Sequence, residues 1–296
     1  MDKTIISLLA AATLLGAGVP AGGAVQFAAA SGASVEAAGG RENAAKAPGL
    51  RWNIAAHLAA SYSGWNSFAH LGGVGATWFL IETQIDARVQ EWSARRHKVL
   101  SGAASFPALA GGFFAPALVP FYMMRSTNPR IRKGGLAAGQ AVAAALCAST
   151  LLKALSGRSA PDARRPHDVE RRSRRFRFGF LRGGVFDGWP SGHAMTNMAL
   201  AASLSSYFGA SGRLRLCVYG WAAYVMAGVT CGARGGVHWL SDALAGGLMS
   251  WAIGTTIGKR FAAHGAVVAD SRAALRPSVR PLIAPDRRGF QLVFPL

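Results

Sequence analysis

Acidic residues are the scarcest class of charge in this sequence: 13 Asp and Glu stand against 32 Lys and Arg, a formal net charge of +19. With so few carboxylates there is no clustered His, Cys, Asp and Glu pattern that would hold a metal ion, and no cofactor is expected. Charge of either sign is also sparse, at 15% of residues against 51% hydrophobic. Soluble domains carry about 25% charged residues, so a mean hydropathy of +0.24 is high for one of them. Cysteine is limited to Cys147, Cys217 and Cys231. Their odd number and lack of ligand spacing exclude a disulfide framework or a zinc site, and their place in or beside apolar runs predicts buried thiols. There is no internal repeat, zinc-finger pattern or helix-turn-helix pattern, so the basic excess does not point to a nucleic-acid partner. Low charge density with a basic surplus fits a membrane protein whose loops face anionic lipid or phosphate.

The chain divides by composition. Residues 1–30 read as a signal peptide or an uncleaved anchor, with Lys3 before the apolar stretch Ile5–Leu15 and small residues at Ala28–Ala30. Residues 31–50 are rich in Ala, Gly and Ser and read as a flexible linker. Residues 51–262 form the helical domain, and 263–296 are a basic tail containing Pro277, Pro281 and Pro285. The tail closes on a strand-like stretch, Gly289–Phe294.

Within the helical domain, five runs beyond residue 100 lack Asp, Glu, Lys and Arg: Gly102–Met124, Gly134–Leu152, Gly188–Gly212, Leu216–Ala233 and the shorter Ala243–Gly258. A bilayer core takes about 20 apolar residues in a helix. The predicted fold is therefore all-α, a membrane helical bundle of five to six spanning helices. Buried core helices of a soluble domain are the competing reading. Ile54–Ile81 is charge-free but carries His57, Asn66, His70 and Gly72–Gly73; it is the poorest spanning candidate and is expected to pack on the bundle or lie at the interface. Glu82–Lys98 shows an amphipathic pattern through Ile85, Val89 and Trp92.

Three polar stations punctuate the runs. Trp189-Pro190-Ser191-Gly192-His193 reads as a helix start opened by Pro190. There Ser191 accepts from unpaired amides, and Gly192 lets a ligand approach the backbone. Free N–H groups and a positive dipole end make such a start an anion site, and His193 adds a group that exchanges protons near neutrality. His238 and Asp242 stand four residues apart, which on a helix stacks them on one face. The carboxylate then fixes the imidazole tautomer and raises its basicity. Lys153 ends another run, with Gly157 as its stop and Arg158 following. If each run crosses, all three stations fall on one membrane face, where ligand sites form.

At these residues the chain resembles the type 2 phosphatidic acid phosphatase superfamily. Lys153 with Pro161, then Pro190-Ser191-Gly192-His193, then His238-x-x-x-Asp242 look like its three signatures in order. Two family arginines are missing: Ala160 stands before the proline of the first signature, and Cys231-Gly232 opens the third. Arg158 lies two residues before the first vacancy and Arg234 two after the second; each is a candidate to reach the pocket from a shifted position.

The resemblance implies a metal-independent phosphatase. His238 is the nucleophile forming a phosphohistidine, Asp242 orients it, and His193 protonates the leaving alkoxide and then activates water. Lys153, Ser191, Gly192, Arg158 and Arg234 bind phosphate oxygens. The substrate implied is an anionic phospholipid, polyprenyl phosphate or lipid A phosphate, at a bacterial inner membrane with a periplasmic catalytic face. The arginine-rich stretch 158–182 is then a cationic rim for lipid head groups. The alternatives are a lipid phosphotransferase, a soluble exported acid phosphatase, and a weakened or inactive relative that binds anionic lipids.

Overall fold

The structure, a computed structural model, describes residues 54–95, 102–162, 168–185, 188–209, 212–232, 236–274, 278–284 and 287–293. The expected export segment and linker over 1–50 lie outside the described residues. Among the described residues, nine helices follow in order: α1 (Ile54–Ser61), α2 (Asn66–Glu82), α3 (Ile85–Arg95), α4 (Gly102–Met124), α5 (Pro129–Ser156), α6 (Val169–Ser173), α7 (Gly192–Phe208), α8 (Gly212–Cys231) and α9 (Leu240–Ala274). A two-stranded antiparallel hairpin, β1 (Ser278–Ala284) and β2 (Arg287–Val293), ends the chain.

The helix ends are set by adjacent side chains. Asn128 caps α5 by accepting from the N–H groups of Arg130 at 2.9 Å and Ile131 at 3.4 Å, with Pro129 in the first turn. Gly157 ends α5 in the left-handed conformation, φ 50°, and its N–H donates to the Lys153 carbonyl at 3.0 Å. A side chain at Gly157 would also collide with the Arg177 carbonyl at 2.7 Å, so the loop after α5 folds back directly onto its end.

The start of α7 differs from expectation by one cap. Ser191 is extended, φ −66° and ψ 121°, and its Oγ accepts from the Ala194 N–H at 3.4 Å, so Gly192 is the first helical residue. Pro190 precedes the cap instead of opening the helix. Likewise α9 begins at Leu240, so His238 lies in the turn before it and not on its face.

Helices α7 and α9 form the spine. Along α9, Gly246, Gly254 and Gly258 meet the backbone of α7: an added Cβ would lie 2.9 Å from the Ser191 carbonyl, 2.4 Å from that of Ala199 and 2.5 Å from that of Ser203. Small residues at such spacing allow close helix approach with extensive van der Waals contact. Around this spine, Ala137, Ala141, Ala144, Ala145 and Ala148 of α5 pack with Met195, Ala199, Met249, Ile253 and Ile257.

The charge-free run at 54–81 packs on the bundle. His57 Nδ1 pairs with Gln140 Oε1 at 2.9 Å, and Asn66 Nδ2 donates to Thr256 Oγ1 at 2.8 Å, tying α1 and α2 to α5 and α9. One face of α2 is buried through Val74, Thr77, Leu80 and Ile81, while Trp65, Phe68, Trp78 and Phe79 are exposed.

Three of the described helices are long and apolar enough to cross a membrane: Ser105–Met124 of α4, α5 and α8. Most of the α4 surface is uncovered by protein, including Phe106, Phe113, Phe114 and Tyr122, as a lipid-facing helix requires. Its Pro107, Pro116 and Pro120 are tolerated in spanning helices. The expected run at 188–212 yields the 17-residue α7, about one turn short of the bilayer length. The thiols depart from expectation: Cys147 and Cys217 are exposed and Cys231 is half-buried. Cys147 and Cys217 lie on helices long and apolar enough to cross a membrane, and apolar lipid would accommodate an outward thiol as well as a core does.

Candidate active site

Helix ends bring the polar stations together. Lys153 is in the last turn of α5, Gly192 and His193 open α7, and His238 and Asp242 bracket the start of α9. A Cβ on Gly192 would stand 3.5 Å from Ser149 Oγ and 3.9 Å from Lys153 Nζ, so the missing side chain leaves the lysine against the α7 start. Two helix N-termini and one ammonium thus converge, and their partial and full positive charges favour an anion.

Ser191 holds this corner by its backbone as well, its N–H donating to the Asp242 carbonyl at 3.0 Å. Ser156 Oγ donates to the Trp189 carbonyl at 2.8 Å, and Trp189 Nε1 donates to Thr77 Oγ1 at 2.7 Å. His193 is supported from α4 and α8: Asn197 Nδ2 donates to the carbonyls of Gly112 at 2.7 Å and His193 at 2.9 Å, and Trp221 Nε1 donates to Asn197 Oδ1 at 2.8 Å. Burial, followed by the positive field of His238 and Lys153, lowers the His193 imidazole to about 4.

The backbone of His238 is fixed before α9, where its N–H and that of Val237 donate to the Val229 carbonyl at 3.0 and 2.8 Å. Its Nδ1 lies 3.5 Å from Asp242 Oδ2, and that oxygen also accepts from the Trp239 N–H at 3.2 Å. The pairing expected of a helical i,i+4 spacing is thus achieved across the helix start. Burial raises the Asp242 carboxyl, but the Arg158 guanidinium, with His238, outweighs this and holds it below the usual carboxylate value.

Arg158 does not reach the phosphate corner. Its side chain is fully buried and forms ion pairs with Asp242 Oδ1 and, at 2.8 Å, with Asp86 Oδ2. Nη1 also donates to Ser241 Oγ at 2.7 Å, while Nε and Nη2 donate to the Ser173 carbonyl at 3.0 and 2.7 Å. Two carboxylates behind His238 outcompete a solvent-side phosphate for this guanidinium, because a buried charge needs full pairing. Arg234, the other arginine expected at the pocket, lies outside the described residues.

Asp86 is the residue that sequence reasoning missed. It sits in α3, 1% exposed, where it accepts from the Ser241 N–H at 2.9 Å and from Ser241 Oγ. The signal was a polar stripe, Asp86-x-x-x-Gln90-x-x-Ser93, at core spacing. All three are buried, while Ile85 and Val89 of the amphipathic pattern are half-buried and Trp92 is exposed.

Among the described residues, no three His, Cys, Asp or Glu side chains group to hold a metal ion. No curated protein and no solved structure matches the chain. The family model described as PAP2 superfamily matches residues 134–264, the span that carries Lys153, Ser191, Gly192, His193, His238 and Asp242. That match, with these residues at one end of a helical bundle, makes residues 134–264 similar to the PAP2 superfamily, whose members are generally phosphatases.

Proposed function

We propose that this protein is a metal-independent phosphatase that releases phosphate from a lipid phosphate through a phosphohistidine on His238. The observation that carries this reading is the convergence of Lys153 Nζ, the α7 start and the His238–Asp242 pair. In the first step His238 Nε2 attacks phosphorus, the bond to the alkoxide oxygen breaks, and His193 gives that oxygen its proton. In the second, His193 takes a proton from water, the water oxygen attacks phosphorus, and the P–N bond breaks with its electron pair returning to Nε2. Lys153, the Ser191 hydroxyl and the α7 amides, Gly192 among them, hold the equatorial oxygens, since such reactions depend on position and charge.

Burial lowers the basicity of His193 most, followed by the positive field of His238 and Lys153. A bound phosphate offsets the second of these, which raises the affinity of the imidazole for a proton.

The loop after α5 supports a lipid substrate. It is hydrogen-bonded along the end of α5, from Arg177 N–H to Ser156, Gly179 N–H to Leu155 and Leu181 N–H to Ala154, at 3.1, 3.1 and 2.8 Å. Beside Lys153 it presents exposed Phe180 and Leu181 flanked by exposed Arg175, Arg177 and Arg182. Apolar tips ringed by arginine suit a bilayer interface with anionic head groups. We assign the site to the periplasmic face of a bacterial inner membrane, and its substrate to phospholipid, polyprenyl or lipid A phosphates.

A second reading, slow turnover with retained lipid binding, is favoured by the commitment of Arg158 to carboxylates. Loss of one transition-state donor costs about 10²–10³ in rate. The test is phosphate release from a panel of phospholipid, polyprenyl and lipid A phosphates in chelator, with acid quench to trap labelled phosphohistidine. Label on wild-type protein and none on His238→Ala is expected. Chelator-sensitive release, or label on another residue, overturns the mechanism; binding without release selects the second reading.

A further inference from the structure

Asp86 lies outside residues 134–264 and yet closes a buried relay that ends on His238. Asp86 pairs with Arg158, Arg158 with Asp242, and Asp242 with His238, while Ser241 donates to Asp86 through both its N–H and its hydroxyl. The charges decide what the relay does. Arg158 and Asp242 alone sum to zero, and His238 would then back onto a neutral pair. Adding the Asp86 carboxylate leaves one net negative charge behind the imidazole.

On the substrate side stand His193, which opens α7, and Lys153, which closes α5. The net charge behind His238 therefore opposes the field in front. Two carboxylates sharing one guanidinium also fix Arg158 from both sides, which keeps its charge out of the phosphate corner.

We propose that Asp86 is a positioning residue that keeps the Arg158–Asp242 pair net anionic, so that His238 stays basic and its phosphorylated, positively charged ring is stabilised. This rests on the assignment of His238 as nucleophile. A purely mechanical alternative is that Asp86 only staples α3 and the post-α5 loop to the start of α9.

The two are separated by counting charges. Asp86→Asn keeps the shape and one of the two acceptor oxygens for Ser241 but removes the negative charge. Asp86→Asn combined with Arg158→Gln removes one charge of each sign, and Asp242 alone restores the net value. The readout is the His238 imidazole titration, followed by side-chain ¹⁵N NMR on the full-length protein in detergent, and in parallel the single-turnover rate of phosphohistidine formation.

Asp86→Asn is expected to lower the His238 midpoint by about one pH unit and slow phosphoryl transfer about tenfold, the equivalent of one unit of basicity. Asp86→Glu is expected to retain the wild-type midpoint. The double variant is expected to return the midpoint to within a few tenths of wild type although it has lost the staple. An unchanged midpoint in Asp86→Asn, or a double variant shifted further than the single one, overturns the proposal. If Asp86→Asn does not fold, the double variant against Asp86→Glu carries the same comparison. Absence of phosphohistidine in the wild-type protein would fail the nucleophile assignment, while the NMR titration still decides whether Asp86 sets the basicity of His238.

Discussion

Residues 134–264 and residues 54–124 contribute to the site in different ways. The first segment presents its chemistry at helix ends: Lys153 closing α5, His193 opening α7, His238 and Asp242 around the start of α9. The second places no residue among the three polar stations and supplies support through packing. Thr77 accepts from Trp189, Gly112 from Asn197, and Asp86 pairs with Arg158. Helix ends expose unpaired backbone groups and so can meet a ligand, whereas helix sides meet other helices. On the proposed assignment, groups that touch phosphate and groups that hold them in place are thereby separated along the chain.

The sharpest test of this division is His238→Ala. It is expected to cut phosphate release by at least about 10³-fold, as loss of a nucleophile does, with the thermal midpoint in detergent unchanged. Release that survives it would place the chemistry elsewhere.

Arg158 belongs to the first segment but behaves like the second, which makes it the most informative exception. Arg158→Leu leaves Asp86 and Asp242 buried without a counter-charge, a loss of about 3–5 kcal/mol, measurable as a lower thermal midpoint. A phosphate ligand would instead lose substrate affinity and keep its stability.

Thr77→Val removes the acceptor of the buried Trp189 Nε1 at a cost of about 1–3 kcal/mol. Turnover should fall only a few-fold, because the α7 start is also held from Ser156 and Asp242. A loss as large as that of His238→Ala would erase the contrast between the segments.

The smallest effect is on acid stability. His193 is lowered from 6.5 to about 4, so the folded state prefers the neutral ring more than the unfolded chain does. That preference contributes in full above pH 6.5 and is lost as pH falls towards 4. Asp242, held below its usual 3.8, adds a loss only at more acidic pH. Thermal midpoints of wild type and His193→Gln should therefore converge between pH 6.5 and 4, and parallel curves would show that His193 is not held down by its surroundings.

Much of the bundle was legible because its signals are local. The Ser191 cap, the Gly157 stop and the apolar runs of α4, α5 and α8 depend on neighbours in the chain. The Lys153, His193, His238 and Asp242 stations could be read from order and spacing, because helix lengths fix which ends share a face. Less legible was anything decided by which surface meets lipid. In α3 Asp86, Gln90 and Ser93 are buried while Trp92 is exposed, and Cys147 and Cys217 are exposed on candidate spanning helices. Periodicity finds two faces of a helix but does not say which one meets protein.

The sequence by itself determined a helical bundle with apolar runs, the ends of its central helices, and the placing of Lys153, His193, His238 and Asp242 at those ends, because caps, hydropathy and spacing act between near neighbours. Only the tertiary structure decided the partners of Arg158. Its contacts with Asp86 and Asp242 span 72 and 84 residues of chain, and a buried guanidinium takes whichever carboxylates the packed helices bring to it. That packing turned an expected phosphate ligand into the buried counter-charge of Asp242, the partner of His238.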